Sequence, residues 1–181
     1  TELKPSDDVG ERPSLDTLGP FHWVPSAATQ WTLTDGQGKK HSLADYTGKP
    51  VIVIFYLGKG CAHCIEQLSA FAPEVDRFKQ TGIDLIAIST DHVGGLLETF
   101  QLNQNKPFPF PLLSDASLEV FKQYRVYDDF EKQPLHGTFL IDRAGLVRWQ
   151  DISYEPFEEV EFLINESKRL LGQDPPQVTK R

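Results

Sequence analysis

The chain has 181 residues and a formal net charge of −8, a length that suits one domain with a buried core and a charge that disfavours nucleic acid or an anionic membrane as partner. The longest apolar run, residues 51–57, is too short to cross a bilayer, so no membrane-spanning segment is expected. Two cysteines cannot form a disulfide framework, and with no methionine in the chain Thr1 is not a translation start; a mature exported protein or an excised domain is expected, and the compartment stays open.

Residues 1–25 are rich in Pro, Asp, Ser and Gly. They read as an extended arm or linker, with Phe21 and Trp23 pinning its end. One domain is expected over 26–172 and a polar tail over 173–181. Alternation around the turn Asp35-Gly36-Gln37-Gly38 predicts a small hairpin, and residues 46–50 read as a loop. Residues 51–57 are continuously apolar and largely β-branched, the pattern of a strand covered on both faces.

The turn Gly58-Lys59-Gly60 then leads into Cys61-Ala62-His63-Cys64. Ile65, Leu68, Phe71, Ala72, Val75 and Phe78 follow at spacings that predict one helix over 62–80, bent at Pro73. Residues 83–88 form a second buried strand, parallel to the first because a helix links them. A helix is expected over 93–103 and a non-helical stretch at Phe108-Pro109-Phe110-Pro111. Ser114-Asp115 reads as the cap of a helix through Leu118, Phe121 and Tyr124. After a loop over 128–134, residues 138–141 and 146–149 form an antiparallel hairpin around Asp142-Arg143-Ala144-Gly145. A last helix is expected over 156–171, with Glu155, Glu158 and Glu159 at its start and Lys168 and Arg169 at its end, matching the macrodipole.

A dithiol at a helix N-terminus has a physical rationale. The unpaired N–H groups and the positive dipole end favour thiolate over thiol, lowering a cysteine pKa from about 8.5 to as little as about 3.5–7.5. Redox chemistry is therefore expected, with no organic cofactor and no metal, since the electrons travel through the dithiol. Half of a zinc site, or inert core cysteines, are the alternatives; no second Cys pair completes a zinc set. His63 either aids thiolate formation when protonated or is a solvated residue, and His136 either serves the dithiol or is an exposed loop histidine. Glu66 and Gln67 are expected on the solvated helix face. Tyr56 ends the strand beside the site, and Trp31, Tyr46, Phe139 and Trp149 are expected to pack.

The element order is that of an α/β thioredoxin-like fold, with a mixed central sheet flanked by helices. The N-terminal hairpin and the helical segment over 93–124 are additions to it. Residues 55–64, Ile88-Ser89-Thr90-Asp91, Phe110-Pro111-Leu112-Leu113-Ser114-Asp115 and Gly137-Thr138-Phe139-Leu140-Ile141-Asp142 together resemble the alkyl hydroperoxide reductase/thiol-specific antioxidant group. That group holds peroxiredoxins and related thiol–disulfide oxidoreductases, and the resemblance spans roughly residues 25–170.

The resemblance implies two activities. As a thiol–disulfide oxidoreductase, the favoured expectation, Cys61 attacks a substrate disulfide and Cys64 resolves the mixed disulfide. As a peroxiredoxin, Cys64 attacks peroxide to give a sulfenic acid and Cys61 condenses with it. In the peroxiredoxin loop Pro-x-x-x-Thr-x-x-Cys, Leu57 stands for the proline and Cys61 for the threonine, while His136 takes the place of an arginine. In the oxidoreductases a cis-proline stands where His136-Gly137 is found. The expected partners are a protein or small-molecule disulfide, or a peroxide, together with a thiol reductant. A third expectation is a copper-binding module: such modules on this fold resemble the chain in using two cysteines and a distant histidine, although they space the cysteines three apart.

Overall fold

A computed structural model describes residues 25–103 and 106–172. The readings of an N-terminal arm, of Phe21 and Trp23 and of a tail over 173–181 lie outside the described residues. Among the described residues there are ten strands: β1 Ser26–Ala27, β2 Thr32–Asp35, β3 Lys40–Ser42, β4 Val51–Tyr56, β5 Asp84–Ser89, β6 Leu112–Ser114, β7 Tyr127–Asp128, β8 Gln133–Pro134, β9 His136–Ile141 and β10 Leu146–Ser153. The α-helices are α1 Ala62–Phe71, α2 Val75–Gln80, α3 Val93–Leu102, α4 Glu119–Gln123 and α5 Val160–Leu171.

The main sheet runs β1-β10-β9-β4-β5-β6-β2-β3. β4 and β5 are parallel, from Val51↔Asp84 to Tyr56↔Ser89, and β9 lies antiparallel on the other side of β4. Every residue of β4 is buried, as its unbroken apolar run requires. Its side chains alternate between two cores. Ile52, Ile54 and Tyr56 pack with Leu68, Phe71 and Phe78 from the first two helices and Leu163 and Ile164 from α5. Val51, Val53 and Phe55 pack with Trp31, Phe121 and Phe139.

The bend predicted at Pro73 is a 3₁₀ turn, Ala72–Glu74, between α1 and α2. Proline lacks the N–H that would continue the helical ladder. The hairpin of β2 and β3 and that of β9 and β10 form as expected. β6 joins the first hairpin to the sheet through Thr34↔Ser114, and a two-stranded β7–β8 ribbon occupies what reads as a loop in sequence.

Two helices begin later than the sequence predicts. Asp115 does not cap the adjacent residue. Its buried carboxylate instead accepts the N–H groups of Glu119, Val120 and Phe121, across a turn in which Leu118 has φ 59°, so α4 starts at Glu119. α5 starts at Val160 rather than Pro156, since Glu159 at ψ 67° lies outside the helical range; in the segment before it the Phe157 carbonyl accepts from the Gln67 side chain at 2.8 Å. The far end of α5 is held by buried Arg148, which donates to Asp142 at 3.1 Å and to the Leu170 carbonyl at 3.0 Å.

Candidate redox site

The site forms where β4 ends. Leu57 follows the strand, Gly58 turns the chain at φ 88°, and Cys61 sits at the N-cap of α1, where its Sγ accepts the Cys64 N–H at 3.2 Å. Cys64, one helical turn inward, is fully buried, whereas Cys61 is partly exposed. The two are joined in a disulfide with a Cα–Cα distance of 5.3 Å, and α1 is intact in this state. Cys64 Sγ also accepts the Leu57 N–H at 3.4 Å. Each sulfur thus faces one backbone donor, the arrangement that favours thiolates after reduction.

His136 opens β9, and the pairing of Gly137 with Phe55 sets it against the end of β4. Its Nε2 lies 3.1 Å from Cys64 Sγ and 3.6 Å from Cys61 Sγ. It is 5% exposed, so the reading of an exposed loop histidine is corrected: the residue is in a strand, beneath the disulfide. Burial holds its pKa below the usual 6.5, against the opposing pull of Glu155 and of the Ser153 and Tyr154 backbone. The imidazole is accordingly neutral near pH 7, with one nitrogen able to accept a proton.

His63 is placed differently. Its side chain is 66% exposed and its Nδ1 lies 3.5 Å from Glu155. Glu66 is exposed as expected, but Gln67 is not: it is fully buried. Its Nε2 donates to Phe157 O at 2.8 Å and reaches Thr138 Oγ1 at 3.5 Å, tying α1 to β9 and to the segment before α5. The helix buries Cys64, Gln67, Leu68 and Phe71, so its inner face is turned by one residue from a stripe drawn through Ile65. The spacing of Gln67, three after Cys64 and four before Phe71, carries that signal. Tyr56 is buried in the same core as Cys64, where desolvation raises its pKa. Leu57, Cys61, Trp149 and Phe157 are partly buried against this core, and Trp149 meets Phe157 edge-on at 5.0 Å.

The loop before Cys61 is gripped by Ser89-Thr90-Asp91. Thr90 donates its N–H to Tyr56 O at 3.3 Å and its hydroxyl to Leu57 O at 2.9 Å. Asp91 Oδ2 accepts the Lys59 N–H at 2.7 Å. As for metals, the two sulfurs and His136 Nε2 lie within 4.8 Å of one another, a donor set suited to a soft ion when the disulfide is reduced.

The AhpC/TSA family profile matches residues 24–150. The chain belongs to the AhpC/TSA family. Putative chloroplastic peroxiredoxin Q of Oryza sativa subsp. indica is 34% identical over 125 residues, 68% of this chain and 56% of that protein. Thioredoxin peroxidase of Echinococcus granulosus is 32% identical over 143 residues, 77% of this chain and 72% of that one. The chain thus spans only about half the length of the rice relative. Peroxidoxin BcpB from Mycobacterium tuberculosis superposes with a TM-score of 0.70 at 22% identity, covering 81% of this chain and 96% of its own. AhpC of Mycobacterium bovis gives 0.73 at 17%, covering 90% and 100%. These likenesses bear out the thioredoxin-like fold expected of an AhpC/TSA member. The family match takes in Cys61, Cys64 and His136 but ends before the Phe157 carbonyl that Gln67 holds. No helix among the described residues is long and apolar enough to cross a membrane.

Proposed function

We propose that the protein is a thiol peroxidase of the peroxiredoxin type, with Cys64 as the peroxidatic and Cys61 as the resolving cysteine. The observation that carries this reading is the setting of Cys64 Sγ, which lies between the Leu57 N–H and His136 Nε2 and is already bonded to Cys61 with α1 intact. Membership of the AhpC/TSA family and the names of the relatives support it.

In the reduced protein, His136 Nε2 takes the Cys64 thiol proton. The thiolate attacks one oxygen of the peroxide and the O–O bond breaks. The leaving alkoxide or hydroxide recovers the proton from His136, and Cys64 becomes a sulfenic acid. Cys61 sulfur then attacks Cys64 sulfur, water leaves, and the Cys61–Cys64 disulfide forms. A thiol reductant attacks the partly exposed Cys61, expelling Cys64 as thiolate, and a second thiol frees Cys61. One peroxide is reduced for two thiols oxidised.

The general thiol–disulfide oxidoreductase is the second reading. It is favoured by the greater exposure of Cys61 and its place at the helix tip. It uses the same disulfide but begins with Cys61 attacking a substrate disulfide. Trapping separates the two: dimedone, which captures sulfenic acids, should label Cys64 in peroxide-treated Cys61→Ser protein. Absence of any adduct under those conditions would favour disulfide exchange.

A further inference from the structure

We infer that Asp91 is a positioning residue for the dithiol, holding one peptide plane so that Cys61 stays within bonding reach of Cys64. The inference rests on the Cys61–Cys64 redox pair and holds for either electrophile. The plane in question joins Gly58 to Lys59. Its N–H donates to Asp91 Oδ2 at 2.7 Å, and its carbonyl accepts the Cys61 N–H at 3.2 Å. The carboxylate therefore holds the N–H side of a plane whose carbonyl side receives Cys61.

Gly58 has φ 88° and no side chain to resist rotation. Without an acceptor at Asp91 the plane is free to flip, which turns its carbonyl away from Cys61. The carboxylate is itself packed tightly. A Cβ at Gly58 would come within 2.7 Å of it and one at Gly95 within 2.9 Å of Asp91 Cβ, so two glycines leave it room. Its backbone is anchored as well: the Asp91 N–H donates to Ser89 Oγ at 2.9 Å, and the Asp91 carbonyl accepts from Ser114 Oγ at 2.6 Å. The neighbouring cation, Lys59 Nζ, goes to Glu98 instead. The carboxylate's described hydrogen bond is to the loop alone.

Loosening Cys61 lowers the effective concentration of one thiol at the other, which shifts the disulfide equilibrium toward the dithiol. The test is the equilibrium of the Cys61–Cys64 disulfide with glutathione redox buffer in wild type, Asp91→Ala and Asp91→Asn, read by thiol alkylation. Asp91→Ala should favour the dithiol by about tenfold, as expected for losing a hydrogen bond to a charged group. Asp91→Asn keeps an oxygen for the Lys59 N–H and should lie within about threefold of wild type on the same argument. Asp91→Ser carries the same comparison as Asp91→Ala should the latter not fold. A wild-type equilibrium in the short variant, even with lowered thermal stability, would overturn the proposal, as would Asn failing as badly as Ala. The readout contains no peroxide, so failure of the peroxidase reading leaves it unaffected.

Discussion

His136 Nε2 stands 3.1 Å from Cys64 Sγ, a contact made across 72 positions of sequence by the antiparallel pairing of β9 with β4. In the proposed mechanism this nitrogen is the base that takes the Cys64 thiol proton. Replacing His136 by Ala should lower the rate of Cys64 sulfenic acid formation by about a hundredfold, the lower range for loss of a positioned acid–base group. Rapid-mixing measurement of that single step checks it. A change of less than about threefold would remove His136 from the mechanism.

The same burial sets a pH dependence of stability. The folded-state pKa of His136 lies below the ordinary value of 6.5. As pH falls through that value the unfolded chain binds a proton that the folded chain does not, so stability is full above it and is lost on acidification. His136→Asn removes this contribution. Urea unfolding at pH 7.5 and 5.5 should show wild type losing its advantage over the variant at the lower pH. An advantage that grew on acidification would contradict the assignment.

Gln67 and Glu66 are neighbours with opposite expectations. Gln67→Ala leaves the Phe157 carbonyl without its donor and opens space in a fully buried position, which should cost about 2–4 kcal/mol. Glu66 is exposed, and its replacement by Ala should stay within about 0.5 kcal/mol. Chemical denaturation of both variants decides the point, and equal losses would refute the placement of Gln67.

Gly58 and Gly38 both have positive φ, at 88° and 84°. An alanine at Gly38 meets nothing within 4 Å and pays only for its backbone conformation, about 1–2 kcal/mol. At Gly58 it also meets the Asp91 carboxyl at 2.7 Å. Gly58→Ala should therefore destabilise more than Gly38→Ala, and part of the excess should vanish when Asp91→Ala is added, a coupling that a double-mutant cycle measures. Additive effects would contradict the contact.

The parts of this structure written in local pattern were legible in the sequence. The run at 51–57, the helical spacing after it, the bend at Pro73 and the turn at Gly145 each follow from neighbours in the chain, and β4, α1, α2 and the last hairpin formed accordingly. The dithiol announced itself through its spacing and its glycine-flanked turn. What was not legible depends on distant partners. The segment before α5 is tied down by Gln67 holding a carbonyl 90 residues away. β6 is a strand only because β5 and the first hairpin lie on either side of it. His136 was a candidate through the arginine position it takes in the resemblance, but its burial against Cys64 follows only once β9 joins the sheet.

The most direct test is stopped-flow consumption of hydrogen peroxide by the fully reduced protein, beside Cys61→Ser and Cys64→Ser. A rate far above that of a free thiol, retained for one turnover in Cys61→Ser and abolished in Cys64→Ser, is the result expected of a peroxidatic Cys64. A rate no greater than that of free cysteine, or one that disappears with Cys61 rather than Cys64, would contradict the peroxidase reading and leave disulfide exchange at Cys61 as the function of the pair.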